Sequence, residues 1–69
     1  MKYLVIIEPT ATGFSAYLPD LPGCVSTGRT REECESNIRE AIDFHLEGMR
    51  EDKLEIPSPA TSATFVDVA

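Results

Sequence analysis

The sequence runs to 69 residues, with twelve acidic and six basic side chains and a net charge of −6. That length holds one small domain, and the charge repels phosphate backbones, which argues against direct nucleic-acid binding and favours a basic partner. Two cysteines and one histidine leave no Cys/His zinc cluster, and no apolar run reaches the ~20 residues of a membrane span.

No signal peptide is visible, so the expectation is a cytoplasmic protein in which Cys24 and Cys34 stay reduced and serve as small buried hydrophobes.

Lys2 to Glu8 is short, apolar and rich in β-branched residues, and Pro9 follows it. It reads as a strand. Alternation puts Tyr3, Val5 and Ile7 on one face and Leu4 and Ile6 on the other. Both faces are apolar, which points to an inner strand that needs cover on both sides. Thr10 to Gly13 is a turn by composition, and Phe14 to Leu18 is a second strand with Phe14, Ala16 and Leu18 on one face. Pro19-Asp20-Leu21-Pro22-Gly23 is a connector stiffened by two prolines, with a glycine free to take positive φ. Cys24 to Thr27 is a brief third strand.

Thr30-Arg31-Glu32-Glu33 matches a capping box, in which threonine caps and the glutamate three residues on reaches back. Cys34, Ile38, Ala41, Ile42, Leu46 and Met49 then trace one helical stripe. The helix is expected to run through Gly48 to about Asp52, roughly 30 Å at 1.5 Å per residue. Pro57 and Pro59 extend the exit, Ala60 to Ser62 is linker-like, and Ala63 to Val68 reads as a fourth strand.

The expected fold is therefore α+β, in the order β-β-β-α-β. A right-handed crossover would lay the last strand beside the first, giving a four-stranded sheet of order 3-2-1-4 with one helix on one face. The other face would be left open. Small cores barely offset conformational entropy, so an open apolar face on so short a chain implies association with a second copy. Tyr3, Val5, Ile7, Leu4 and Ile6 are the residues expected to serve an oligomer or partner surface.

Catalytic constellations are poor. Glu8, Asp20, Glu33, Glu40 and Asp67 are the acids that might hold metal, yet a two-metal nuclease needs acids converging on strand centres, and the first strand is apolar there. His45 lies beside the helical stripe and reads as a boundary residue of the core, without a clear nucleophile or carboxylate partner. The glycines fit no phosphate-binding spacing. No catalytic residue, metal ligand or cofactor is assigned. Asp20-Leu21-Pro22-Gly23-Cys24 is the most distinctive segment. It reads either as a rigid corner or as a preorganised contact surface, which loses little entropy on binding.

The run Gly13-Phe14-Ser15-Ala16-Tyr17-Leu18-Pro19-Asp20-Leu21-Pro22-Gly23-Cys24, followed by Ser26, Gly28, Thr30, Glu32-Glu33, Asn37, Glu40-Ala41, Leu46-Glu47 and Ile56-Pro57, resembles the HicB family of antitoxins, including its short stand-alone relatives. The resemblance implies a partial RNase H-like fold lacking nuclease acids. It also implies association into dimers or larger assemblies, here expected to be a dimer or tetramer, and a role in binding and silencing a small basic HicA-like toxin that cleaves mRNA. The stiff Asp20 to Cys24 segment and the acidic helix face are the residues expected to bind it. Many members of that family carry a C-terminal DNA-binding domain; this sequence stops at Ala69, so residues 1–69 are expected to be a single HicB-like domain without one. Arg29 and Cys34 depart from the family pattern, which has an acid and an alanine there. The alternatives are a degenerate metal-dependent nuclease of RNase H-like fold, or an oligomeric scaffold without a toxin partner.

Overall fold

A computed structural model describes residues 1–69. Three short strands, β1 (Ile6–Pro9), β2 (Phe14–Tyr17) and β3 (Val25–Gly28), precede one helix, α1 (Arg31–Glu51). The strands form an antiparallel sheet of order β1-β2-β3. Ile7 stands opposite Ala16, and Ala16 opposite Ser26. The β1–β2 turn is closed by the Thr10 N–H donating to the Gly13 carbonyl at 2.8 Å.

The α+β class and the three-strand order agree with the sequence reading; the fourth strand does not. Residues after Lys53 form no strand, and β1 is an edge strand with β2 in the centre. β-propensity expresses fit to a half-buried pleated surface, and within the single chain Ala63–Val68 lies against no such surface. β1 is also shorter than the apolar run that contains it. Continuing its register would set Leu4 opposite Pro19, which has no N–H to give to a ladder.

Helix α1 starts as its sequence dictates. Thr30 is the N-cap in extended conformation, and its Oγ1 accepts from the Glu33 N–H at 3.0 Å. Glu33 Oε1 reaches back to accept from the Arg29 N–H at 3.2 Å, one residue ahead of the usual reciprocal bond. The helix passes through Gly48 and closes on a Schellman motif: Leu54 N–H donates to the Met49 carbonyl at 2.9 Å and Lys53 N–H to the Arg50 carbonyl at 3.1 Å. Lys53 takes the left-handed conformation there, with φ 57°.

The buried core is Ala16, Leu18, Leu21, Cys24, Cys34, Ile38 and Leu46. Tyr3, Val5, Ile7, Phe14 and Ile42 pack around it. The face that meets the helix is thus the one bearing Tyr3, Val5 and Ile7. The helix lies over β3 and β2 and leaves β1 largely outside its footprint. Two contacts hold it to β3. The Asn37 amide donates to the Thr27 carbonyl at 2.8 Å, and Gly28 lets the Cys34 backbone approach so closely that a Cβ would sit 2.7 Å from its Cα.

Candidate functional site

In the corner between β2 and β3 every third residue is buried. Leu18, Leu21 and Cys24 point into the core. Two consecutive turns lock them: Leu21 N–H donates to the Leu18 carbonyl at 3.3 Å, and Cys24 N–H to the Leu21 carbonyl at 3.1 Å. The second turn requires Gly23 at φ +85°, where a side chain would be strained. Burial pushes the Cys24 thiol above its ordinary pKa, and both cysteines are free. Pro22 and Gly23 form an exposed crest, and Pro19 is exposed at the start of the corner. Of the five residues expected to meet a partner, Leu21 and Cys24 therefore serve as roots, and Pro22 and Gly23 offer surface.

Asp20, the fifth, is engaged by the chain itself. Its Oδ2 accepts from the Ala60 and Thr61 N–H groups, each at 3.0 Å, and its Oδ1 from the Thr61 hydroxyl at 2.8 Å. Those bonds to the charged form, the Thr61 N–H foremost, hold the carboxyl below its ordinary pKa. A second tie joins the Tyr3 hydroxyl to the Pro57 carbonyl. Residues 56–61 thus form a strap fixed at two points, to Tyr3 ahead of β1 and to Asp20 in the β2–β3 corner. No sequence signal announces either tie, since their partners lie 40 to 54 residues apart.

Two apolar surfaces remain on β1 and the residues before it. On the helix side, Tyr3, Val5 and Ile7 face Ile38 and Ile42 across a groove of about 450 Å³, with Arg31, Glu35, Arg39 and Asp43 along its rim. It exists because the helix is set toward β3. On the opposite side, Ile6 pairs with Tyr17 and Tyr17 with Val25. Tyr17 is 41% and Val25 65% exposed. The sheet residues expected to serve an oligomer or partner surface divide as their alternation predicts: Tyr3, Val5 and Ile7 line the groove, and Ile6, with Leu4 in phase with it, belongs to the open face.

The acids do not converge. Glu33 caps the helix, Asp20 holds the strap and Glu8 lies opposite Ser15 near the end of β1. No three His, Cys, Asp or Glu side chains gather closely enough to hold a metal ion. His45 is half-buried on the helix. No helix is long and apolar enough to cross a membrane.

The family model described as a HicB-like antitoxin of bacterial toxin–antitoxin systems matches residues 3–68. A 14.9 kDa protein from the rep–hol intergenic region of Haemophilus phage HP1 is 47% identical over 57 residues, covering 83% of this chain and 43% of that protein. Antitoxin HicB 2 of Photorhabdus laumondii is 36% identical over 69 residues, covering 99% of this chain and 50% of its own length. The chain thus spans about half the length of these two relatives. Among solved structures, a HicA3–HicB3 toxin–antitoxin complex contains a chain that superposes with a TM-score of 0.75 at 33% identity, over 87% of this chain and 70% of the other.

Proposed function

The chain belongs to the HicB-like antitoxin family, and on that premise we propose that it is a non-catalytic module that binds and occludes a small basic HicA-like toxin. The likeness to a chain of the HicA3–HicB3 complex carries this reading. Three features of the molecule support it. Its net charge of −6 favours encounter with a basic partner and speeds association. Its stiff crest at Pro22 and Gly23 would lose little entropy on docking. Its acids are spread over caps, ties and solvated faces, which suits a binding module better than a hydrolase.

The mechanism is occlusion. The crest and the acidic helix surface cover the toxin's RNA-cleaving face, and dissociation restores cleavage. The chain also associates with itself through the apolar surfaces of β1 and the residues before it. The test is co-expression with a small basic HicA-like protein encoded beside it, followed by calorimetry and an RNA-cleavage assay. The expected result is a stable complex in which cleavage stops. Absence of a complex, or cleavage undiminished at saturating amounts of this chain, would overturn the reading.

A further inference from the structure

The C-terminal residues hold more apolar surface than a free tail should. Phe65 is 104%, Val66 74% and Val68 87% exposed, and nothing in the chain covers them. The segment alternates as a strand does, with Phe65 and Asp67 on one face and Val66 and Val68 on the other. β1 meanwhile has an open edge, and the groove beside it is apolar and unfilled. One molecule therefore carries both a strand without a sheet and a sheet edge without a strand.

We propose that Ala63–Val68 is a fourth strand supplied in trans: the tail of one copy adds to the β1 edge of a second copy, which returns its own tail. The inference rests on the self-association in the reading above and not on toxin binding.

Length, pattern and charge fit that occupant. Ser62–Val68 spans about 23 Å when extended, the same as Lys2–Glu8. With Phe65 turned into the groove between Ile7 and Ile42, Asp67 on the same face reaches the rim, where Arg39 makes no ion pair within its own chain. Val66 and Val68 then fall on the opposite side and continue the open face begun by Ile6 and Tyr17. The strap directs the tail outward. Pro57 and Pro59 keep it extended, and Asp20 clamps Ala60 and Thr61, so the residues beyond leave the body of the molecule. Reciprocal exchange closes a two-fold pair in which both β1 edges are covered, by the backbone pairing that strand addition uses generally.

The test uses the full chain. An equal mixture of 13C,15N-labelled and unlabelled protein, denatured together and refolded, is examined by isotope-filtered NOE spectroscopy. Contacts between copies, from the Phe65 ring to the Ile7 and Ile42 methyls, are expected. In sedimentation equilibrium, Phe65→Ser is expected to raise the dimer dissociation constant at least tenfold. The site is fully exposed in the single chain, so the far-UV circular dichroism of the dilute protein stays unchanged. A full chain that sediments as a monomer at every concentration overturns both the exchange and the self-association. NOEs confined to one copy, or a Phe65→Ser dimer as tight as the original, overturn the exchange and leave self-association standing. Phe65→Ser weakening toxin capture by a monomeric chain would assign the tail to the toxin instead and likewise overturn it. Toxin capture by the unaltered chain, measured separately, decides the occlusion reading on its own.

Discussion

Leu21 and Pro22 are neighbours in sequence with opposite surroundings, and exchanging each for alanine separates scaffold from surface. Leu21 is 1% exposed and among the most enclosed side chains of the core. Truncating such a leucine removes its burial energy and leaves a cavity, together worth about 2–5 kcal/mol. A chain of this size has a total stability of about 3–10 kcal/mol. Leu21→Ala should therefore remove about a fifth of it or more. With a urea slope of about 1 kcal/mol per molar for so small a domain, the unfolding midpoint should fall by about 2 M or more. Pro22 is exposed, and Pro22→Ala should move stability by no more than about 0.5 kcal/mol. Its cost should appear in toxin affinity instead, as a loss of about fivefold or more. Both quantities are measurable, by urea titration at fixed protein concentration and by calorimetry with the toxin. A midpoint loss under 0.5 M for Leu21→Ala, or equal losses for the two variants, would refute the division of the corner into roots and crest.

Four further outcomes follow from particular geometries. Gly28→Ala places a methyl group 2.7 Å from the Cys34 Cα, where both sides are backbone; it should cost about 2 kcal/mol or more in urea unfolding. Gly48→Ala meets nothing within 4 Å on an otherwise regular helix, so it should stabilise by about 0.5–1 kcal/mol and raise the thermal midpoint. Lys53→Gly relieves a left-handed residue at the Schellman end and should add about 0.5–1 kcal/mol in the same measurement. Asp20 has a folded pKa below its ordinary 3.8. Its hold on the strap is therefore complete above that value and lost as pH falls through the lower folded one. Amide exchange at Ala60 and Thr61, followed by NMR, should accelerate on that acid limb, and Asp20→Asn should lose the limb.

What could be read in the sequence was local. The Thr30 cap, the stripe from Cys34 to Met49 and the hairpin turn at Thr10–Gly13 each depend on residues within a few positions of one another, and each formed as read. The corner's stiffness was also legible, because prolines and Gly23 state it directly. The division of Asp20–Cys24 into buried and exposed members was not, since the side-chain period is unreadable in a turn. Nor was the strap: Tyr3 with Pro57 and Asp20 with Thr61 are long-range polar ties that no periodicity encodes. The helix is expected to end at about Asp52 and ends at Glu51; what stayed hidden, for a different reason, is the Schellman closure at Lys53. The left-handed residue there is a lysine, so the glycine that usually marks such an end is missing.

The misplaced fourth strand shows where the local approach fails and why the failure is useful. Alternation and β-propensity in Ala63–Val68 state correctly that the segment suits a pleated, half-buried surface. They do not state whose surface. Crossover rules apply once both strands share a sheet, and placing the segment beside the first strand assumed that they do. Within one chain the assumption fails: the strap fixes residues 60 and 61 at Asp20, and the remainder projects with Phe65 wholly exposed. Burying that ring would be worth about 2 kcal/mol, and the β1 edge keeps backbone donors and acceptors without ladder partners. A donor strand and an acceptor edge on one molecule, each unsatisfied, make a self-complementary pair, so the same pattern that misplaces the strand within the chain locates it between chains.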